Sequence, residues 1–146
     1  MSGKTSYLAN QMLRSLQGLT PAAFTETWVT LFTTAPTADT AAGVAAAVEW
    51  SPTSPRTRVY SDGATEPFWW PILADTDEGA RTYNQCSIQW SGVAGLSAAA
   101  TVVAVGIYSA SSGGILLYWQ DLGQTRVVNN GDTMQFLQGS LKVTEQ

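Results

Sequence analysis

The chain has 146 residues, with 7 Lys and Arg against 11 Asp and Glu, a formal net charge of −4, and no histidine. A chain of this length suits one domain that buries roughly 70% of its unfolded surface, so it needs no disulfide to fold. Seven scattered bases cannot form the clustered cationic surface that nucleic acid requires, and the missing histidine removes most Ser-His-Asp, Cys-His and zinc chemistry.

The first element is helical. "TSYLANQMLRSLQG" places Leu8, Met12 and Leu16 on one stripe, joined by Leu13. Thr5 or Ser6 can cap its start and Gly18 can end it in the left-handed conformation, which predicts a helix over 6–17. Its other face carries Asn10, Gln11, Arg14 and Ser15. The apolar stripe must therefore pack on its own sheet or on a neighbouring subunit. Residues 1–18 are read as a docking helix, with Tyr7, Leu8, Met12, Leu13 and Leu16 as the assembly interface, and 19–146 as one β domain.

The rest of the chain reads as strands. "TWVTLFTT" (27–34) is β-branched and aromatic, and "PRTRVY" (55–60) alternates. "QCSIQW" (85–90) points Cys86, Ile88 and Trp90 inward and Gln85, Ser87 and Gln89 outward. "TVVAVGIY" (101–108) and "ILLYW" (115–119) flank the small residues of Ser109–Gly114. In the first of these, Val103, Val105 and Ile107 alternate with Val102, Ala104 and Tyr108, so both faces are expected to be buried. "TRVV" and "TMQFL" flank "NNGD", which contains an Asn-Gly turn signal, and "SLKVT" closes the set. About eight short strands predict a mainly β protein: an antiparallel β-sandwich, jelly-roll or Ig-like, with one N-terminal amphipathic helix. Two long loops are expected at about 35–55 and 61–80. The "AAGVAAAVEW" core of the first could form a helical turn.

Candidate chemistry is sparse. Asp75, Asp77 and Glu78 form the densest acidic cluster, but Cys86 stands where an EF-hand closes with Glu. The same carboxylates lie too close in sequence to be an opposed glycosidase pair, and Glu66 is the only obvious second contributor. "SGKTS" lacks the upstream strand and glycine of a phosphate loop. No catalytic residue, cofactor or metal is expected. "EPFWWP" carries Phe68, Trp69 and Trp70, which pack into the core, anchor a protein interface or stack on a host glycan. Trp28, Trp50, Trp90 and Trp119 look like core.

Charged residues make up only 12% of the chain, about half the usual share, which suits a surface covered by partners or one of neutral polar side chains. The lone Cys86 cannot form an internal disulfide and fits assembly in a reducing cytoplasm. The N-terminus has no apolar signal core, and no apolar run is long enough to span a membrane.

Read in order, "TSYLANQMLRSLQG", "WVTLFTTAPT", "VGIYSASSGGILLYWQDL" and "VNNGDTMQFLQGSLKVT" resemble the small phage proteins described as tail fibre or virion structural proteins. Leu31–Pro36, Val105–Trp119 and Val128–Thr133 carry the likeness, and the hairpin is its most specific part. Segment 38–80 departs from the pattern and inherits no site. The resemblance implies a non-enzymatic virion component built on a β-sandwich. Its place would be tail fibre, baseplate, collar or head decoration. The expected partners are other virion proteins and the chain itself, as a homo-oligomer such as a trimer. The alternative is a receptor- or glycan-binding module at the particle surface.

Overall fold

The computed structural model describes residues 2–20, 26–50, 56–60, 72–75, 79–84, 87–90 and 99–145. In chain order the elements are β1 (Ser2–Lys4), α1 (Ser6–Leu16), β2 (Glu26–Thr34), α2 (Ala41–Ala45), β3 (Val48–Glu49) and β4 (Arg56–Tyr60). They continue with β5 (Ile72–Asp75), β6 (Gly79–Tyr83), β7 (Ile88–Trp90), β8 (Ala100–Tyr108), β9 (Leu116–Val128), β10 (Met134–Phe136) and β11 (Lys142–Glu145). Every pairing is antiparallel. The protein is mainly β with an N-terminal helix, as its alternating apolar runs predict.

The principal sheet runs β1-β9-β8-β2-β3, with β4 also on β2. Strand β2 is its hub. One edge pairs with β8 from Trp28↔Tyr108 to Phe32↔Ala104. The other edge pairs first with β4 and then with β3. Two smaller sheets, β10-β7 and β11-β6-β5, complete the set.

Both faces of the principal sheet are buried, as the doubly apolar 101–108 run requires. On one face Val29, Leu31, Val102, Val105, Ile107 and Val128 share a cluster with Trp50, Ile88 and Trp90. Met134, Phe136, Leu141 and Val143 pack against that cluster. Contact between strands of different sheets across one core is the packing a sandwich needs. Trp90 and Phe136 meet edge to face, with centroids 6.2 Å apart. On the other face Phe32, Ala104, Tyr108, Leu116 and Trp119 are covered by Ala35, Val44 and Ala47 of the 35–47 segment. The tryptophans expected in the core are there, with Trp28 half-buried.

Four expectations change. The helix stops at Leu16, one residue early, and the first residues of segment 1–18 form an edge strand paired with β9, so this segment is partly sheet. Runs 115–119 and 125–128 are one 13-residue strand. Between Val102↔Arg126 and Ala104↔Asp121, β8 advances two residues while β9 advances five, a large bulge. The bulge breaks strict alternation. Val102 joins Val105 and Ile107, while Val103 turns to the face of Ala104 and Tyr108.

The Asn-Gly turn is formed as its sequence predicts. Asp132 N–H donates to the Asn129 carbonyl at 3.1 Å, and Gly131 has φ +86°, which favours glycine. The strands it joins lie in different sheets, because Val128 pairs with Ala100 while Met134 pairs with Trp90. Core packing of Met134 and Phe136 accompanies the pairing of the strand after the turn with β7. Finally, part of the expected 61–80 loop is a hairpin: β5 and β6 pair from Ile72↔Thr82 to Asp75↔Gly79. Residues 61–71, 76–78 and 85–86 lie outside the described residues.

Candidate assembly surface

Helix α1 is fastened at its first turn. Thr5 N–H donates to the Leu117 carbonyl at 2.9 Å, and Thr5 Oγ1 donates to the Leu116 carbonyl at 2.7 Å. Thr5 is the N-cap, but its hydroxyl is spent on β9 and caps no helix N–H. Ser6 N–H and Oγ–H both donate to the Asp39 carbonyl. Trp119 Nε1–H donates to Asp39 Oδ1 at 2.8 Å. Asp39 thereby ties the helix start and β9 to the 35–47 segment.

The helix ends sharply. Leu19 N–H donates to Arg14 O and Gly18 N–H to Ser15 O, with Gly18 at φ +72°. This is the paired hydrogen-bond pattern of a Schellman stop.

Between anchor and stop, no α1 residue is buried. Tyr7 and Leu8 are half-buried, whereas Met12, Leu13 and Leu16 are exposed. Leu16 reaches 83% exposure, and Leu19 beyond the stop is exposed as well. Lys4 Nζ approaches Met12 Sδ at 3.7 Å. The five residues expected to form an interface thus share one helix, and three of them, Met12, Leu13 and Leu16, are left exposed.

Beside the anchor lies a cleft of about 610 Å³. Its walls include Ala41, Val44 and Ala45 from α2 and Ile115 and Leu116 from the start of β9, with Tyr7 and Asp39 also lining it. Helix α2 is seeded by Thr40, whose Oγ1 accepts from Gly43 N–H at 3.3 Å. A Cβ at Gly43 would lie 2.5 Å from Ala38 N, so only glycine lets the segment double back.

The loop at 109–114 is held by a buried ion pair. Arg56 Nε donates to Glu49 Oε2 at 2.9 Å, and Arg56 Nη2 donates to Glu49 Oε1. Arg56 Nη1 donates to the carbonyls of Ala110 and Gly113, both at 2.7 Å. The guanidinium lies 3.6 Å from the centroid of the Tyr108 ring. Burial pushes the Glu49 carboxyl up. Hydrogen bonds from Arg56 and Thr30, with the Arg56 charge, outweigh burial and hold it below 4.5. Burial and the Glu49 charge push the Tyr108 hydroxyl up. Gly113 and Gly114 sit at φ +60° and +69°, which lets the loop close onto Arg56.

Sequence reasoning missed this latch. Its signal was Glu49, a lone charge between Val48 and Trp50. Among the described residues no three His, Cys, Asp or Glu side chains group to hold a metal. Phe68, Trp69, Trp70, Glu66, Asp77, Glu78 and Cys86 lie outside the described residues, and Asp75 ends β5. No helix among the described residues is long and apolar enough to cross a membrane.

A mainly β scaffold thus carries an amphipathic helix whose Met12, Leu13 and Leu16 are exposed. The family described as Podophage GP4 fiber I protein gp80 matches residues 3–144, and the chain belongs to that family. It is thus a phage fibre-type protein, which suggests a structural role in the virion. No curated protein matches the chain.

Proposed function

We propose that the chain is a non-enzymatic subunit of the phage particle that assembles with itself and with neighbouring virion proteins. Helix α1 is its docking element, and the tail fibre, baseplate, collar and head decoration are the places it fits. One observation carries this reading: among the described residues both faces of the principal sheet are covered, while Met12, Leu13 and Leu16 of α1 stay exposed. Exposed apolar surface of this kind marks interaction sites. Membership of a phage fibre family supports the virion setting. The single thiol supports assembly in the host cytoplasm.

The test is a Leu13→Glu/Leu16→Glu chain, since both side chains are exposed and the fold does not depend on them. We expect it to fold and to be missing from purified particles, as read by electron cryo-microscopy and protein gels. Normal incorporation would remove α1 from the assembly role.

A further inference from the structure

We infer that Asn130 and Gly131, at the tip of the turn between β9 and β10, form a self-modification site, where the chain converts its own asparagine amide to a carboxylate and loosens the turn.

The reaction needs an asparagine side-chain carbonyl, a following main-chain nitrogen free to reach it, and water. The Gly131 nitrogen gives its proton to solvent base and bonds to Asn130 Cγ. The Cγ–Nδ2 bond breaks, and the amide nitrogen takes up a proton and leaves as ammonia. A five-membered succinimide ring remains. Water then adds to one ring carbonyl, that carbon's bond to the Gly131 nitrogen breaks, and the nitrogen regains a proton. Opening at Cγ leaves aspartate on the ordinary main chain. Opening at the main-chain carbonyl leaves isoaspartate, with the chain running through Cβ and Cγ.

The chain has four asparagines, and the fold separates them. Asn10 lies inside α1, where the helical hydrogen-bond ladder holds the following N–H. Asn84 is buried and held at both ends, donating to the Leu137 carbonyl and accepting from Leu141 N–H. Asn129 Nδ2 donates to Asp132 Oδ2 at 3.0 Å, and the residue after it carries a Cβ. Asn130 is exposed, and among the described residues neither its amide nor the Gly131 N–H makes a hydrogen bond. Gly131 is exposed too, at φ +86°, and a Cβ there would meet nothing within 4 Å. A bare glycine in open space leaves the nitrogen uncrowded and the ring open to water.

The turn is braced around the reacting pair. Asp132 N–H donates to the Asn129 carbonyl at 3.1 Å, and Asn129 N–H donates to Asp132 Oδ2 at 2.8 Å. Conversion makes the chain one unit more negative than its present −4 and sets the new carboxylate near Asp132. Isoaspartate also adds a methylene to the main chain inside this four-residue turn, so the Asp132–Asn129 bond no longer closes as before. That turn joins Val128, paired with Ala100, to Met134, paired with Trp90 in another sheet.

The test is peptide mapping of the full chain after incubation at mildly alkaline pH. Trypsin cuts after Arg126 and Lys142, so residues 127–142 are read as one peptide. We expect this peptide to gain the mass of an amide-to-acid exchange and to separate into aspartate and isoaspartate forms, with fragmentation placing the change at position 130. Asn130→Gln would need a six-membered ring and should lose the conversion, and so should Gly131→Ala, where a Cβ crowds the nitrogen. The exposed Asn130→Gln change leaves the fold intact, so it stands if the alanine strains the turn. A folded chain that stays unconverted while a synthetic 127–142 peptide converts would mean the turn protects the pair, overturning the proposal. Conversion at Asn129 in place of Asn130 would overturn it as well. In the isoaspartate form, Asp132 N–H should exchange faster than in a fresh Asn130→Asp chain, which has the same charge and no added methylene. Equal exchange would overturn the loosened turn.

Discussion

Replacing Arg56 by alanine tests whether the buried latch holds this fold together. The Arg56 side chain is 6% exposed and makes hydrogen bonds to one carboxylate and two carbonyls. Removing one partner of a buried pair typically costs about 3–5 kcal/mol, because the other charge stays buried and unpaired. Glu49 keeps some contact with water, at 24% exposed, so the lower end, about 3 kcal/mol, is expected. That is a large share of the roughly 5–15 kcal/mol of a typical domain. For a chain of this length it lowers Tm by about 6–12 °C. Urea unfolding should show a lower midpoint with an unchanged slope, since the sheet pairing itself is intact. Arg56→Lys keeps the charge but loses the planar fork, and should fall between wild type and alanine. An Arg56→Ala loss below about 1 kcal/mol would refute the reasoning and class the pair with surface bridges.

Acid gives a second reading of the same latch. The folded pKa of Glu49 is depressed, so its contribution is complete above its unfolded value of 4.5 and is lost as pH falls through the folded value. The stability gap between wild type and Arg56→Ala should therefore narrow below about pH 4.5; a gap that widens there would refute the assignment. Gly106→Ala should cost about 1–3 kcal/mol through overpacking, read by thermal melting, because the added Cβ would lie 2.5 Å from Phe32 Cε2 and 2.9 Å from Leu116 Cδ1. Asn84→Ala should cost about 2 kcal/mol, since buried Asn84 donates to the Leu137 carbonyl and accepts from Leu141 N–H, both at 2.9 Å. Amide exchange at Leu141 should quicken in that variant. A Trp69→Ala/Trp70→Ala chain that assembles normally but no longer lets particles adsorb would assign the aromatic loop to a host glycan.

Local pattern made the strands legible, and long-range packing decided the rest. The alternation of Ser87, Ile88, Gln89 and Trp90 survives intact, because a three-residue strand has no room for a bulge. The 101–108 run fails at Val103, where β9 inserts extra residues that no single-strand pattern reveals. The turn at 129–132 was readable, but its partners were not, since Met134 and Phe136 are drawn to Trp90 in another sheet. The helix stop was readable from Gly18 alone. Its start at Ser6 was readable too, but the Thr5 hydroxyl caps no helix N–H because a residue 111 positions away claims it. Glu49 fell in an expected loop and Arg56 in an expected strand. Only the fold shows that they meet beneath the small-residue loop.

The exposed apolar side chains are not scattered evenly over the described surface. Among the described residues eight large hydrophobics are exposed, and four of them, Met12, Leu13, Leu16 and Leu19, lie in or just after α1. Scattered exposed apolar residues need no explanation, but a contiguous patch does. This one is built with care at both ends, by Thr5 and Ser6 at the anchor and by the Gly18 stop. A helix held only for stability would turn its stripe onto the sheet. Here the sheet face beside it is already covered by Ala35, Val44 and Ala47, and among the described residues Met12, Leu13 and Leu16 stay exposed. The same 35–47 segment that closes the core therefore displaces the helix outward and forms the cleft next to it. Covering the sheet and presenting the helix go together, and this is the arrangement on which the proposed docking role of α1 rests.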